Sequence, residues 1–541
     1  MKLLLSLLLL LPVFLYAEII HVNLDGSGDY TSIQEGINNA NPGDTVLVFP
    51  GNYIETIDFL GKDIVVGSLF LTTQNTDYIE STVIDGNGEN YQLVKFTNGE
   101  TANARLVGFT ITHAETREKQ QIDDIGLGLG IHIKGSSPSV EYNRIVDNVF
   151  NSWYFNGGGI SIENSSAQII GNTISNNDMA CMGGGIFISN ASHVIIKENT
   201  ISDHEINPGY GYSYGAGIYI YTSDTILIEN NHIHDNHKWS LGYGGGVYML
   251  GCNAVSIIRN IFERNSSTVG GGIYAAGSEV IINGNLLVEN EADYLGGGIY
   301  FGHCDALVVN NTLSENRARV DKSAYGGGVA CSNSSPEFYN NIIYGNTATA
   351  AGNQVYLASN ADPNFFYNNI EGGMDAFGLL DTVTYDGIYA HNIQSDPHYL
   401  FSGDHPYALN FNSPCINAGS PDTTGLMIPP FDLAGFNRIV QETIDMGAYE
   451  NQSHVSIPAI TTNEKVKVFP NPTEGKITLF TPNLPLDKAK VFVEDLRGNL
   501  MWQTRITQRE TIIDLSMLTA GVYLLRTQLS GNELVNKIVI Y

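Results

Sequence analysis

The stretch ENNHIHDNHKWSLGYGGGVYML, Glu229 to Leu250, joins two short patterns that recur along the chain. A glycine-rich triplet followed by Ile or Val begins at positions 128, 157, 183, 215, 244, 270, 296 and 326. An Asn-x-hydrophobic segment follows each triplet and begins at Asn143, Asn172, Asn199, Asn231, Asn260, Asn285, Asn311 and Asn341. The step from glycine to Asn is always 15 or 16 residues, whereas the return step varies from 10 to 16. Insertions are therefore confined to one place in each repeat.

The residues after each triplet alternate, as in GIYIY and GVYML, with a period of two that is typical of β-strands. One repeat holds too few strands to bury a core, so neighbouring repeats must stack at about 4.8 Å. Glycine permits a sharp corner, and Asn can bond backbone groups at a second corner. The sequence predicts an all-β solenoid with a continuous apolar column of Ile160, Ile186, Ile218, Val247, Ile273, Ile299 and Val329.

This glycine and Asn pattern resembles the repeats of right-handed parallel β-helix proteins of the pectin-lyase-like superfamily, over roughly residues 20 to 450. The segment Asp25 to Ile57 resembles the start of that superfamily, pectin methylesterases included. Ser32 and Glu35 there predict a capping box for a short helix over the first rung. The segments SDPHYL, YALNFNSPCINAGS and DMGAYE resemble the closing part of bacterial β-helix proteins. The further motifs of pectin methylesterase are absent, which argues against that activity.

Composition divides the chain into six segments. Lys2 and the apolar run to Ala17 indicate a signal peptide. Small polar residues after position 451 indicate a linker, and alternating strands beyond it predict a small β-sandwich. The predicted boundaries are 1–17 for the signal peptide, 18–125 for the cap and first rungs, 126–350 for the Gly/Asn rungs, 351–451 for the terminal rungs and closing segment, 452–464 for the linker, and 465–541 for the sandwich.

The sandwich resembles the type A sorting domain of the type IX secretion system. The matching residues are Phe469 to Pro472, Gly498, and Gly521 to Tyr523. The resemblance implies a bacterium of the Bacteroidota type, export across both membranes, and a secreted or cell-surface protein whose partner is the type IX machinery.

Charge and cysteine content narrow the range of partners. The formal net charge is −30, which argues against nucleic acid and against anionic membranes. The five cysteines are odd in number and scattered, so neither a disulfide framework nor a zinc site is expected. Beyond the signal peptide no apolar stretch is long enough to cross a membrane, and no membrane insertion is expected.

One outward column of the predicted rungs is aromatic and is our candidate substrate-binding surface. Its members are Phe187, Tyr219, Tyr248, Tyr274 and Tyr300, and the insertions beside them carry Trp153 and Trp239. A flat ring with a polar tip suits the face of a sugar. The alternative is that the insertions cover the column and the rings simply pack together.

Two further hypotheses concern chemistry near the same edge. Asp203 and Asp235 lie on adjacent rungs and are the catalytic candidates, because a glycosidase needs two nearby carboxylates. A lyase would instead use the basic cluster Arg317, Arg319 and Lys322. His232, His234 and Glu263 are weak candidates for a metal site, against the alternative of a solvated strand face. His204 occupies an Asn position and is expected to be structural.

These observations predict a secreted surface protein that binds polysaccharide or another surface through its aromatic edge. A polysaccharide lyase or glycoside hydrolase acting in the same groove is one alternative. A structural adhesin without a saccharide ligand is the other. No cofactor is required by the sequence, and Ca²⁺ is the one candidate because acidic columns can hold it.

Overall fold

The computed structural model describes residues 17–88, 92–115, 128–149, 157–178, 182–206, 213–238, 241–319, 323–380, 383–440, 443–452, 467–480, 490–495, 499–529 and 532–541. The chain divides into two compact units, residues 1–455 and 456–541. The predicted signal peptide up to residue 16, most of the predicted linker, Cys181 and Gly498 lie outside the described residues. The six domain boundaries stay predictions.

The first unit is a solenoid of parallel strands, as the repeats predict. Each rung runs through three sheets in turn, and the described strands of each sheet pair in register with the next rung. Sheet 1 follows the glycine triplets and contains Ile57–Asp58, Val94–Phe96, Ile131–Lys134, Ile160–Glu163, Ile186–Ser189, Ile218–Tyr221, Val247–Leu250, Ile273–Ala276, Ile299–Gly302, Val329–Ser332, Val355–Ala358 and Gly378–Leu379.

The other two long sheets complete the rungs. Sheet 2 contains Ile19–Val22, Thr45–Val48, Val65–Ser68, Arg105–Val107, Ser139–Glu141, Gln168–Ile170, Ile195–Lys197, Asp224–Glu229, Asn253–Ile258, Val280–Asn283, Ala306–Val309, Glu337–Tyr339, Asn364–Phe366 and Tyr389–Ala390. Sheet 3 contains Gly51–Tyr53, Thr82–Asp85, Thr110–Thr112, Arg144–Val146, Thr173–Ser175, Thr200–Ser202, His232–His234, Ile261–Glu263, Leu286–Val288, Thr312–Ser314, Ile342–Tyr344 and Asn369–Ile370.

The insertions of the Gly/Asn rungs leave after sheet 3 and return before a glycine triplet, so their described ends lie along one edge, whereas one early insertion leaves after Val65–Ser68 of sheet 2 and returns at Thr82–Asp85 of sheet 3. The insertions of the Gly/Asn rungs build sheet 4, which contains Ser213–Tyr214, Gly242–Tyr243, Ser266–Val269, Glu291–Leu295, Arg317–Ala318 and Thr347–Ala348. A two-stranded sheet of Glu205–Ile206 and His237–Lys238 lies in the same insertions, after sheet 3 and before the glycine triplet.

Two ladders of buried amides hold sheet 3 at both of its ends. In the first, the backbone N–H of Asn231 donates to Asn260 Oδ1 at 2.9 Å, and Asn231 Nδ2 donates to Ile196 O at 2.8 Å. In the second, Asn236 Nδ2 donates to Asn265 Oδ1 at 2.9 Å and to Ile201 O at 3.0 Å. Both ladders are almost fully buried. Each rung therefore satisfies the corner amides of its neighbour, which keeps the buried corners free of orphaned donors.

The third glycine of each triplet is fixed by close packing of the backbone. A Cβ atom added to Gly246 would lie 2.6 Å from the carbonyl oxygen of Gly272 on the next rung. The corresponding distance from Gly272 to Gly298 O is 2.7 Å, and from Gly298 to Gly328 O it is 2.6 Å. These corners approach too closely for any side chain, which explains why glycine recurs at this place.

The N-terminal end of the core is covered by a helix, Ile33–Asn39, as predicted. Ile33 and Ile37 are fully buried against the first rungs. Ser32 is the N-cap and accepts from Glu35 N at 3.4 Å. The first two helical amides donate instead to the carboxylate of Glu55, at 2.8 Å and 3.0 Å. The main acidic partner of the helix start therefore comes from the connection between strands Gly51–Tyr53 and Ile57–Asp58, and not from Glu35.

This arrangement makes a prediction about the helix cap. Glu55→Gln should destabilise the N-terminal end by about 1–2 kcal/mol, because a carboxylate that accepts several N–H bonds is replaced by a weaker acceptor. Glu35→Gln is the matched control and should change little. Thermal unfolding of both variants checks the prediction, and a larger loss in Glu35→Gln would contradict it.

Two shorter helical segments, Phe70–Thr73 and Asp77–Ser81, lie in one early insertion, and a 3₁₀ turn covers Met374–Ala376. In the described part of the chain no helix is long and apolar enough to span a membrane. At the far end of the core, Phe365 packs against Phe377, Tyr385 and Tyr389. This aromatic cover closes the solenoid after its last rungs.

The closing segment, residues 396–452, packs on the outer face of sheet 3. Tyr399, Tyr407 and Met446 form a second buried cluster with Leu286 and Val288. The fully buried Arg438 donates to the carbonyl oxygens of residues 445 and 447, at 2.9 Å and 2.7 Å. Sheet 3 is therefore covered from Leu286 onward, and Ile261 of the preceding rung packs against the edge of this cluster.

The four described cysteines are buried free thiols: Cys252, Cys304, Cys331 and Cys415. Burial raises the pKa of Cys304 and of Cys415 to about 12. These side chains act as small core residues and are poor nucleophiles, because the reactive species is the thiolate.

The second unit contains two antiparallel sheets. One contains Lys467–Phe469, Lys476–Phe480 and Glu510–Asp514, and the other contains Lys490–Glu494, Leu500–Arg505, Gly521–Leu529 and Asn532–Ile540. Their core includes Leu479, Val491, Leu525 and Ile538. The two-sheet arrangement agrees with the β-sandwich expected from the alternating strands.

Candidate functional site

The predicted aromatic column exists and forms a continuous stack, which we call the aromatic ladder. Phe187 stacks on Tyr219 with ring centroids 5.2 Å apart, and Tyr219 stacks on Tyr248 at the same spacing. Tyr248 and Tyr274 are 4.9 Å apart, and Tyr274 and Tyr300 are 5.0 Å apart. The parallel register of sheet 1 sets this spacing, since equivalent residues of successive rungs pair directly.

Three of the five rings of the aromatic ladder are almost fully buried. Phe187, Tyr219 and Tyr248 are only 5%, 6% and 5% exposed. Burial raises the pKa of the Tyr219 and Tyr248 hydroxyls. The three rings pack on the outside of sheet 1, and their substrate-binding role stays a prediction. Tyr274 and Tyr300 are half-buried, and their substrate-binding role stays a prediction.

The cover is a second row of side chains from the ends of the insertions, which is the alternative that the sequence analysis left open. Tyr214 stacks on Tyr243 at 5.5 Å and meets Tyr248 edge-on at 5.1 Å. Tyr243 meets Tyr274 in the same way at 5.3 Å. This second row consists of the residues that precede the glycine triplets: Met182, Tyr214, Tyr243, Val269, Leu295, Tyr325 and Ala351. Its signal was the recurring apolar residue before the glycines.

The two tryptophans expected beside the aromatic ladder, Trp153 and Trp239, lie outside the described residues, as does Lys322 of the basic cluster. Arg319 of that cluster is bound to Glu291, with Nε 2.8 Å from Oε1. The basic cluster expected of a lyase therefore has one of its cations neutralised.

The opening histidine segment forms a network with the next rung, which we call the corner cluster: His232, His234, Asp235, Glu263 and Arg264. His232 Nε2 lies 3.0 Å from Glu263 Oε2, and His234 Nδ1 lies 2.8 Å from Asp235 Oδ2. Arg264 donates through Nε and Nη2 to Asp235 at 2.9 Å and 2.7 Å, and it also contacts Glu263. These contacts arise because His234 pairs with Glu263 across the rungs.

The catalytic candidates do not share one environment. Burial raises the pKa of Asp235, but hydrogen bonds from Arg264 and His234 outweigh it and lower the value to about 2. Such a carboxylate stays ionised and does not suit a general acid. Asp203 stands one rung earlier at the same left-handed corner and is exposed. Catalysis by this pair stays a prediction.

The metal candidates are engaged with each other and with Arg264. Among the described residues no group of three His, Cys, Asp or Glu side chains is arranged to hold a metal ion. Glu263 binds His232 and Arg264 instead, and these contacts, with burial opposing them, lower its pKa. Binding of Ca²⁺ stays a prediction.

His204 is structural, as its ladder position predicts. It is fully buried, its Nδ1 accepts from Asn177 N at 3.1 Å, and its Nε2 lies 3.1 Å from Ile174 O. The neutral ring with a proton on Nε2 satisfies both contacts. Burial lowers the pKa of His204 to about 4.

A cleft opens beside the corner cluster, where the closing segment ends its cover of sheet 3. Its volume is about 430 Å³, and it is lined by Asn230, Asn231, His232, Arg259, Ile261, Phe431, Asp432, Leu433, Ala434 and Gly435. Phe431 is 45% exposed and is the aromatic wall of the cleft. Neither Phe431 nor Arg259 belongs to the predicted groove.

The loop that carries Phe431 is held in place by polar contacts. Asp432, which is buried, accepts from the backbone N–H groups of Phe436 and Glu450, both at 2.8 Å. Arg259 Nη1 contacts Phe431 O at 3.5 Å and so connects the loop to sheet 2. Leu400, Phe436 and Tyr449 line a neighbouring cleft on the other side of this loop. These contacts fix the loop, and its rings, Phe431 and Phe436, line the two clefts.

Comparison with known families agrees with this architecture. Residues 116–313 and 246–399 match the family described as the right handed beta helix region, and together these spans cover 116–399, more than half of the chain. The chain therefore belongs to the right-handed β-helix family. Residues 467–541 match the secretion system C-terminal sorting domain. The protein is thus a β-helix protein exported by the type IX system to the cell surface or the extracellular space.

Comparison with individual proteins adds no argument about this chain. No curated protein matches the chain at a significant level. Among solved structures, the A-module of mannuronan C-5 epimerase AlgE6 from Azotobacter vinelandii is 12% identical, with 68% of this chain and 94% of that chain covered and a TM-score of 0.26. A pectin methylesterase mutant in complex with a hexasaccharide is 10% identical, with 74% and 98% covered and a TM-score of 0.20. Neither likeness carries an argument about function.

Proposed function

We propose that this secreted β-helix protein binds polysaccharide in the cleft beside Phe431. The observation that carries the proposal is that the exposed phenyl ring of Phe431 lines one cleft together with the polar side chains of Asn230 and His232. An apolar ring face packs against the C–H face of a sugar, and a few placed polar groups fix its orientation. His232 and Asn230 supply such groups on the sheet 3 side.

The position of the cleft supports an extended ligand. It lies at the boundary between the covered and the uncovered rungs of sheet 3, so the outward side chains of the earlier rungs continue from it. These include Thr173, Thr200 and His232, which occupy equivalent places on successive strands. Hydroxyl and imidazole groups repeating at about 4.8 Å can follow a polymer along the solenoid.

A hydrolase or lyase in the same cleft is the second candidate. The contact between His232 and Glu263 favours it, because a carboxylate bound to one imidazole nitrogen orients the ring as a base. The low pKa of Asp235 disfavours a mechanism that uses this residue as the proton donor. If no saccharide binds, the alternative function is that of a structural adhesin.

The proposal predicts the effect of removing the ring. Phe431→Ala should weaken saccharide affinity about threefold to tenfold, because one stacking contact is lost. Phe411→Ala is the matched control, since Phe411 is 75% exposed and does not line the cleft. A glycan array would first identify a ligand, and titration calorimetry with the full chain would compare the variants.

Equal affinities of Phe431→Ala and Phe411→Ala would contradict the placement of the ligand in this cleft. Release of reducing ends by the unmodified protein would favour the enzymatic candidate. A His232→Gln variant that keeps affinity and loses that release would assign the base.

A further inference from the structure

The cations around the cleft are bound to carboxylates of the protein itself. Arg259 is mostly buried, and its Nη2 lies 2.6 Å from Glu229 Oε1. Lys197 lies 3.5 Å from the other oxygen of Glu229. Arg264, in the corner cluster beside the cleft, binds Asp235 with two hydrogen bonds and also contacts Glu263. Within the described lining, Arg259 is the one side chain that is always cationic, and its charge is neutralised in place.

The carboxylates near the cleft outnumber these cations. Asp432 lines the cleft and is buried, and Glu229, Asp235 and Glu263 stand beside it. Glu198, which lies 3.6 Å from Lys197, is a fifth carboxylate, so with neutral histidines five carboxylates stand near three cations, Lys197, Arg259 and Arg264. The whole chain carries a formal charge of −30, which adds a long-range repulsion for anions.

An acidic sugar would meet a high barrier in such a site. A uronate carboxylate must lose water on entry, and it is stabilised only if a cation or several N–H donors replace that water. Releasing Arg259 from Glu229 would leave a partly buried carboxylate without its guanidinium partner, which is costly. A neutral sugar needs only hydroxyl contacts and a ring face, and the cleft provides both.

We infer that the cleft selects uncharged polysaccharides and excludes polyuronates. This inference rests on the proposed function, since it concerns the ligand of the same cleft. The charge pairing of Arg259 with Glu229 points to neutral polysaccharides, such as glucans, mannans or xylans, as the ligand class.

The test measures the binding of two sets of oligosaccharides to the full chain. The neutral probes are cello-, manno- and xylo-oligosaccharides, and the acidic probes are oligogalacturonate and oligomannuronate. Calorimetry is done at about pH 8, where an ordinary imidazole is neutral, and at ionic strengths of about 0.01 M and about 0.15 M. A neutral probe should bind with an affinity that hardly changes with salt, and the acidic probes should not bind at either ionic strength.

The Glu229→Gln variant is expected to bind the acidic probes that the unmodified protein excludes. The variant keeps the shape of the side chain and frees the charge of Arg259, whereas Lys197 keeps Glu198 as a partner at 3.6 Å. Acidic probes should then bind, with an affinity that falls about tenfold or more between the two ionic strengths. The neutral probes should bind as before, which shows that the cleft is intact. If Glu229→Gln does not fold, the comparison of probes on the unmodified chain decides alone.

The outcomes separate this inference from the proposed function. Acidic probes that bind the unmodified chain, with affinity reduced in Phe431→Ala, would overturn the inference and leave the cleft as the saccharide site. Failure of both sets of probes to bind the unmodified chain would overturn the proposed function, and the inference with it. A folded Glu229→Gln variant that still rejects acidic probes would overturn the role of the ion pair.

Discussion

Gly246→Ala is expected to destabilise the solenoid by about 3 kcal/mol or more. The added methyl group would lie 2.6 Å from Gly272 O and 3.0 Å from the ring of Phe262. Neither neighbour can yield easily, because the first is backbone in a parallel ladder and the second is a fully buried core ring. The rungs would have to separate locally, and the hydrogen bonds from Gly246 N to the next rung would weaken. Thermal unfolding followed by circular dichroism measures the loss.

Gly135→Ala is the control for this experiment. Gly135 has a positive φ of 62°, and a Cβ atom there would meet nothing within 4 Å. The substitution costs only the strain of a left-handed backbone, about 1 kcal/mol. If the two variants unfolded at the same temperature, steric exclusion between rungs would not be the reason for the third glycine.

His204→Asn is expected to remove an acid sensitivity from the solenoid. The pKa of His204 is about 4 in the folded chain, below its ordinary value of 6.5. The unfolded chain therefore binds more protons between these two values. The stability that the neutral ring contributes is complete above about pH 6.5 and is lost as the pH falls towards 4. The difference corresponds to about 3 kcal/mol.

The Asn substitution restores the residue that other rungs use at this corner. Its amide can accept from Asn177 N and donate to Ile174 O, as Asn236 Nδ2 donates to Ile201 O. The smaller side chain should cost about 1 kcal/mol near neutral pH. Free energies of unfolding are compared for both proteins from pH 7.5 to 4. Since the carboxylates are common to both, parallel curves would contradict the assignment to His204.

The rung architecture was predictable because each pattern has a local physical cause. The step from glycine to Asn is nearly constant because each rung uses the same number of residues, within one, to pass through sheets 1 and 2. The return step varies because it contains the insertions that build sheet 4. The second amide ladder was visible as the Asn that ends each N-x-hydrophobic-x-x-N segment. Glu55, in contrast, reaches Ile33 from 22 residues away, so the local Ser32 and Glu35 pattern identified the helix but not its main cap.

The candidate site was only partly predictable. The spacing identified the aromatic ladder as an outward column, but outward from a rung does not mean exposed once a second row covers it. Asp235 and Arg264 occupy equivalent corners of adjacent rungs, so alignment of the repeats predicts that they lie side by side. Phe431 reaches the cleft from the closing segment, which has no repeat and no phase relative to the rungs. Nothing in its sequence neighbourhood indicates which strands it meets.

The reaction of the buried thiols with a labelling reagent can report local opening of the solenoid. Because Cys252 and Cys304 lie in the rungs and Cys415 lies in the closing segment, a thiol reagent can reach each only when its own region separates. Labelling rates thus measure the opening equilibrium at separate places in the chain without any added probe. The same burial shields the described thiols from an oxidising environment while the fold is intact.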